Sequence, residues 1–280
     1  MATYEIEPGN SLFYEYTEPT AASRLTFVFF NPLTGDSSIW QNSVATKLIE
    51  AGHGVLVYNM RGQLDSPFSD GTSLDQSLIV NDAKQLLAHI APPNPIFVGL
   101  SIGGLFAAWT VTQGAECAGL VIINTLRRDG PRLQWISDVL VRLVETGGAE
   151  LLRDTLSPLI MNEDWQSDNR QNFLADDAYV PIDKDSATYN LLFNARDTDW
   201  NFPYEQLTMP VLVITGLQDR VFRDPEDIDT LFARLPNARR LDLQNAGHMI
   251  PVEQPQALLC LLYTSPSPRD ATLSRMPSSA

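Results

Sequence analysis

Residues 96–104 spell IFVGLSIGG, and this short stretch decides how the rest of the chain is interpreted. It begins with an apolar run of the kind that forms a buried parallel strand. Ser101 then follows between Gly99 and Gly103, directly ahead of an apolar stretch with helical character. A sharp strand-to-helix turn needs small flanking residues and holds its central side chain clear of the backbone. The pattern predicts a nucleophilic serine beside the free N–H groups that start the following helix.

Two further residues complete the order serine, aspartate, histidine. Asp219 follows the apolar run VLVIT, and His248 follows the run RRLDL, so both are predicted to lie at the ends of strands. An acid after the preceding strand is the alternative, but Asn124 and Thr125 occupy that place. Asp219 is therefore the better candidate to orient a histidine that acts as a base.

Short apolar runs alternate with helical patterns along the chain. The runs that favour buried strands lie at 25–30, 55–58, 96–99, 120–123 and 211–215. Ser73 and Asp224 are predicted to cap two of the intervening helices. Alternating strands and helices require crossover connections and a parallel sheet that is covered on both faces. The sequence therefore predicts an α/β fold with a mostly parallel, doubly wound central sheet.

The segment 126–207 interrupts this alternation, because it contains no buried-strand run. Its amphipathic and aromatic stretches predict an inserted helical cap between two parts of a core, 1–125 and 208–262. Residues 263–280 change abruptly to Ser, Pro and Arg without an apolar period, which predicts disorder. This tail is either a natural flexible terminus or appended sequence of non-native origin.

These features together resemble the capped α/β-hydrolase superfamily of esterases, lactonases and related enzymes. The resemblance covers about Leu12 to Leu262. It implies that Ser101 is the nucleophile, His248 the general base and acid, and Asp219 the carboxylate that orients the histidine. The chemistry that it implies is hydrolysis of a carboxylic ester through an acyl-enzyme, with no metal and no cofactor.

The loop at 30–35 (FNPLTG) departs from the His-Gly pattern that is usual in related enzymes at this point. Pro32 has no N–H and cannot donate a hydrogen bond. The backbone N–H groups of Leu33 and Ile102 are then the candidate donors of an oxyanion hole, with Thr34 as an alternative donor. Asn31 is either a hydrogen-bonding substitute for the absent histidine or a plain turn residue.

The charge of the chain limits its partners. Thirty-four acidic and 19 basic residues give a net charge of -15, which argues against nucleic acid and anionic membranes as ligands. The predicted partner is a small neutral ester or lactone. Two cysteines, no apolar run of about 20 residues and no secretory leader favour a cytoplasmic protein. The oligomeric state stays open.

The substrate also stays open at this level. Arg170 and Arg196 could bind a substrate carboxylate, although solvated surface roles are favoured. Three functions remain: an ester or lactone hydrolase, a C–C bond hydrolase or cofactor-free peroxidase that uses the same triad, and a non-catalytic receptor for a small ligand. The aromatic residues of the predicted cap form either its own core or the roof of a pocket: Trp135, Trp165, Phe173, Tyr189, Phe193, Trp200 and Phe202.

Overall fold

An eight-stranded sheet forms the centre of the computed structural model, which describes residues 2–69, 71–174 and 178–264. Its strands lie in the order β1-β2-β4-β3-β5-β6-β7-β8. The β1–β2 and β2–β4 pairs are antiparallel, and all the other pairs are parallel. The strands are β1 (Ala2–Glu7), β2 (Asn10–Thr17), β3 (Thr26–Phe30), β4 (Gly54–Tyr58), β5 (Pro95–Leu100), β6 (Gly119–Ile123), β7 (Val211–Gly216) and β8 (Ala238–Leu243).

Helices cover both faces of the sheet. Those of the described residues are α1 (Ser38–Trp40), α2 (Thr46–Glu50), α3 (Gln76–Ile90), α4 (Ile102–Thr112), α5 (Pro131–Ile160), α6 (Glu163–Asn169), α7 (Ala187–Asn194), α8 (Pro225–Phe232), α9 (Ile250–Glu253) and α10 (Pro255–Tyr263). Along β3, Val28 and Phe30 join the apolar cluster under α3, α4 and α8, whereas Phe27 and Phe29 join the cluster under α1, α2 and α10. The predicted doubly wound, mostly parallel sheet is confirmed.

The antiparallel edge of the sheet was not predicted. The side chains of β1 alternate between exposed and half-buried positions, and those of β2 are mostly half-buried apart from the buried Asn10 and Leu12, so neither strand contains a continuous apolar run. Their alternation is the pattern of a strand that is covered on one face only. In the strand order this edge lies on the other side of β4 and β3 from β5 to β8.

One helix start differs from its prediction, and one agrees. The Asp75 carboxylate caps α3 by accepting from the Leu78 N–H at 3.0 Å, whereas the Ser73 hydroxyl binds Asn194. The predicted capping box at Ser73 is therefore wrong, because a carboxylate closer to the helix takes its free N–H groups. Asp224 caps α8 as predicted and accepts from two backbone N–H groups.

The segment 126–207 is helical and has no strand among its described residues. We call it the helical insertion. Its longest helix, α5, bends at Gly147 and Gly148, and Gly148 has a φ of 71°. A side chain at Gly148 would meet the carbonyl oxygen of Val180, so this bend favours glycine on two grounds. The division of the chain into core and cap domains stays a prediction.

The predicted disordered tail lies almost wholly outside the described residues. Tyr263 is an exception: it is the last residue of α10, and its hydroxyl donates to the Lys47 carbonyl at 2.9 Å. The apolar stripe of α10 continues through Leu262, which carries the helix one residue further than predicted. Within the described ranges, none of the helices combines the length and apolar character needed to cross a bilayer.

Candidate active site

Ser101 lies at the junction of β5 and α4 in a strained backbone conformation. Its φ is 60° and its ψ is -126°, which a non-glycine residue rarely adopts. A Cβ atom at Gly103 would collide with the backbone oxygens of Phe30 and Asn31, so only glycine fits there. The Thr125 hydroxyl donates to the Ser101 carbonyl at 2.9 Å and holds the turn. The predicted strand-turn-helix context of Ser101 is present.

Asp219 and His248 form a buried hydrogen-bonded pair. His248 Nδ1 lies 2.6 Å from Asp219 Oδ2. The other carboxylate oxygen of Asp219 accepts from the N–H groups of Val221 and Phe222 at 3.1 and 2.9 Å. Burial alone would raise the pKa of Asp219, but the charge and hydrogen bond of His248, the Phe222 N–H and the Arg127 charge hold that pKa below its usual value. Asp219 is therefore an anion that fixes the orientation of the imidazole.

Asn124 attaches the histidine loop to the sheet. Its amide nitrogen donates to the carbonyls of Gly247 and His248 at 3.0 and 2.8 Å. Its amide oxygen accepts from the Gly216 N–H at 2.8 Å. Asn124 itself has a φ of 49°, a conformation that asparagine tolerates better than most residues. Its side chain thus fixes the loops after β7 and β8 relative to each other.

Glu253 supports the same loop from α9. Its carboxylate accepts from the N–H groups of Gly247 and Met249, both at 2.7 Å, on the two sides of His248. It also accepts from the Asn162 N–H at 2.6 Å. Burial raises the pKa of Glu253, and the three backbone N–H groups oppose this rise. The histidine is therefore held through its backbone as well as through Asp219.

Ser101 and His248 share one cleft, which has a cavity volume of about 120 Å³ and is partly open to solvent. Leu33 and Ile102 line it together with Pro32 and Thr34, and their role as oxyanion donors stays a prediction. The opposite wall is largely apolar and comes from the helical insertion: Leu133, Ser137, Leu140, Leu152, Leu156, Ile160, Leu192, Ala195 and Trp200. The described residues contain no group of three or more His, Cys, Asp or Glu side chains that could hold a metal ion.

The loop after β3 presents the Leu33 N–H without a backbone acceptor among the described residues, and the Ile102 N–H is in the same situation. Gln63 holds this loop by donating to the carbonyls of Pro32 and Leu33 at 3.0 and 3.2 Å. Asn31 is fully buried beneath the loop and donates to the Tyr58 carbonyl at 2.8 Å. Its side chain also accepts from the Trp40 Nε1–H at 2.9 Å, so Asn31 is more than a plain turn residue, and its role as a substitute for the absent histidine stays a prediction.

Arg127 is the polar side chain nearest to Ser101 that the sequence did not indicate. Its Nη2 donates to Ser101 Oγ at 2.8 Å and to the Asn124 carbonyl at 3.0 Å. No hydrogen bond within the described part of the chain joins Ser101 Oγ to His248. The hydroxyl accepts from Arg127 and so keeps its own proton for donation. Arg127 lies outside any motif, as do Asn124, Gln63 and Glu253, so no local signal marked these residues.

The aromatic residues of the insertion have different environments. Of the seven named from the sequence, Trp200 is the one that lines the described cleft, while Phe202 packs into the core under α4. Trp135 is 75% exposed and does not line this cleft. Arg170 and Arg196 do not line the cleft; Arg196 lies over the Phe193 ring at 4.0 Å. The predicted surface roles of these two arginines agree with their positions.

Comparison with known proteins agrees with this fold. The Alpha/beta hydrolase family matches residues 27–259. The chain is 28% identical over 240 residues to 3-oxoadipate enol-lactonase 2 of Acinetobacter baylyi, which covers 84% of this chain and 86% of that protein. The solved enol-lactonase of Burkholderia xenovorans LB400 has 24% identity, a TM-score of 0.73 and coverage of 91% and 96% of the two chains. An esterase of Exiguobacterium antarcticum has 17% identity, a TM-score of 0.75 and coverage of 92% and 96%. The chain therefore belongs to the alpha/beta hydrolase family.

Proposed function

We propose that this protein is a serine hydrolase that cleaves a small-molecule carboxylic ester or lactone through Ser101, His248 and Asp219. The observation that carries the proposal is the single cleft that contains the strained Ser101 and the His248 ring, with Asp219 bound 2.6 Å behind that ring. The names of the relatives, enol-lactonase and esterase, support the same type of scissile bond.

The first step is transfer of the acyl group to Ser101. Because Asp219 occupies Nδ1 of His248, Nε2 is the nitrogen that accepts the hydroxyl proton. Ser101 Oγ then attacks the substrate carbonyl, and Asp219 stabilises the imidazolium that forms. The hydrogen bond from Arg127 uses a lone pair of Oγ and leaves the hydroxyl proton available for this transfer.

The tetrahedral intermediate needs donors where its oxygen becomes negative. The N–H groups of Leu33 and Ile102 fit this role, because both residues border the cleft and neither N–H has a backbone acceptor among the described residues. One such donor contributes roughly 2.7–4 kcal/mol to stabilisation of the transition state. The imidazolium of His248 then protonates the leaving alcohol, and a water molecule, deprotonated by the same histidine, hydrolyses the acyl-enzyme.

Labelling with a fluorophosphonate tests the nucleophile directly. We expect one covalent adduct, located on Ser101 by peptide mass spectrometry. Ser101→Ala should abolish the adduct and the hydrolysis of short esters. Ser137→Ala is the matched control, because Ser137 borders the same cleft but lies on α5; this variant should be labelled like the wild type. Folded protein that stays unlabelled would favour a non-catalytic receptor.

Product analysis separates the hydrolytic alternatives. The protein is incubated with a panel of alkyl esters, lactones and β-diketones, and the products are identified by mass spectrometry. We expect carboxylic acids from the esters and lactones and no acid from the diketones. Cleavage of the diketones instead would replace ester hydrolysis by C–C bond hydrolysis on the same three residues.

A further inference from the structure

Arg127 is a buried cation in a largely apolar cleft. Its side chain lines the cleft, and the residue is only 7% exposed. Among the lining residues of the described chain, it is the one with a permanent charge, and none of them is acidic. Burial lowers the pKa of Arg127 to about 10, against an opposing effect of Asp219, so the guanidinium remains positive at neutral pH.

The charge of Arg127 has no anionic partner within the described part of the chain. The nearest candidate is Asp219, but its two oxygens are already used by His248 and by two backbone N–H groups. The protein ligands of Arg127 are neutral: Ser101 Oγ and the Asn124 carbonyl, both bound by Nη2. Its Nε is buried and has no acceptor.

Two aromatic rings hold the guanidinium in place. The centre of the guanidinium lies 4.4 Å from the Phe222 ring centroid and 5.0 Å from that of Trp200. Cation–π contacts of this kind fix the plane of an arginine without neutralising its charge. The result is a rigid cation with unused donors beside the nucleophile, which is an arrangement suited to a planar anion.

We propose that Arg127 binds a carboxylate carried by the substrate. The substrate is then a short ester or lactone that bears a free carboxylate a few bonds from the scissile carbonyl, since Nη2 lies only 2.8 Å from Ser101 Oγ. This inference rests on the proposed function. The expectation of a neutral substrate came from the net charge of the whole chain, whereas a buried cation in a largely apolar cleft acts at much shorter range.

The test compares two esters of nearly equal shape. Monomethyl succinate carries a carboxylate where methyl levulinate carries a neutral methyl ketone, and their hydrolysis is followed by acid release in a pH-stat. We expect the wild type to prefer monomethyl succinate by about ten- to a hundredfold in kcat/KM, the range of a charge-assisted hydrogen bond. In Arg127→Met this preference should fall to about one.

Arg128→Met is the matched control. Arg128 is the next residue, its side chain is 57% exposed, and it pairs with Asp227 at 3.0 Å. This variant should keep the wild-type preference. If Arg127→Met lowers kcat/KM equally for both esters, Arg127 acts on the nucleophile and the carboxylate proposal is overturned. A wild type without any preference would overturn it as well.

A measurement on the wild type tests the proposal even if Arg127→Met does not fold. Succinate should slow fluorophosphonate labelling of Ser101, whereas neutral succinamide at the same concentration should not; equal effects of the two would contradict the proposal. The labelling also distinguishes a failure of the carboxylate-binding proposal from a failure of the proposed hydrolase function. Ser101 that is labelled in a protein without carboxylate preference removes the role of Arg127 alone, and Ser101 that is never labelled removes the hydrolase as well.

Discussion

The ends of the strands and the helical insertion contribute differently to the cleft. Ser101, Asp219 and His248 follow β5, β7 and β8. The Thr125 hydroxyl donates to the Ser101 carbonyl, the Phe222 N–H to the Asp219 carboxylate and the Asn124 amide to the His248 carbonyl, so hydrogen bonds hold each of the three. The insertion contributes mainly apolar side chains that make no hydrogen bonds. We therefore expect the proposed reacting groups to tolerate little change, whereas the apolar wall can vary and so select the substrate.

The two regions meet at the histidine loop. Glu253 binds the Asn162 N–H of the insertion and the Gly247 N–H of the loop with the same carboxylate oxygen. The His248 N–H donates to the Ile160 carbonyl at the end of α5. A displacement of α5 would therefore also displace the imidazole of His248. The apolar wall and the proposed reacting groups differ in chemistry, but these hydrogen bonds connect them.

The largest effect is expected at the strand ends. Asp219→Asn should lower kcat for short esters about 10⁴-fold, because an amide supports the wrong tautomer of His248 and leaves the imidazolium without a counter-charge. Asp224→Asn is the control, since asparagine caps a helix as well as aspartate does. Steady-state kinetics of both variants decide the point. A loss of less than tenfold in Asp219→Asn would remove this residue from the proposed triad.

The second-largest effect is expected on stability, and it depends on the room for an added Cβ atom in each of the two regions. Gly103→Ala should lower the free energy of unfolding by about 3 kcal/mol or more, because its Cβ meets backbone oxygens that cannot move aside. Gly130→Ala, at the start of the insertion, should change it by less than about 0.5 kcal/mol, since nothing lies within 4 Å of a Cβ there. Urea unfolding gives both values. Equal losses would contradict the contrast between the regions.

A gain of stability is expected at Arg127. Replacing a buried, unpaired cation by an apolar side chain of similar length removes its desolvation cost, so Arg127→Met should raise the free energy of unfolding by about 1–3 kcal/mol at pH 7. The cost is present throughout the range in which the guanidinium is charged, below its pKa of about 10. Urea unfolding beside Arg128→Met measures it. A destabilised Arg127→Met would instead indicate that the cation serves the fold.

The smallest effect is expected in the apolar wall. Leu140→Ala should raise the ratio of kcat/KM for methyl hexanoate over methyl butyrate about tenfold, because the cleft gains room for two methylene groups. Val139→Ala is the control: Val139 is the preceding residue of α5, does not border the cleft and is 40% exposed. An unchanged ratio in Leu140→Ala would mean that this wall does not contact the acyl chain.

The sequence indicated those residues whose positions follow from their near neighbours in the chain. The turn at Ser101 is a product of sterics within a few residues, and the ends of parallel strands meet at one edge of a sheet, which places Asp219 and His248 near it. Sequence reasoning missed Arg127, Asn124 and Glu253 because each of them also binds a group from another segment of the chain: Ser101, His248 and Asn162, respectively. Asn124, for example, binds a carbonyl 124 residues away. For an arginine or glutamate outside a motif, the neighbouring sequence does not indicate such a partner.

The sequence by itself determined the parallel part of the sheet, the strained turn and the order of the three proposed reacting residues, because apolar period and glycine sterics act between near neighbours. Only the tertiary structure decided which side chains surround the cleft and that one of them is a cation without a counter-ion. The physical reason is that desolvation and charge pairing depend on every group within a few ångströms, and those groups come from segments far apart in the chain.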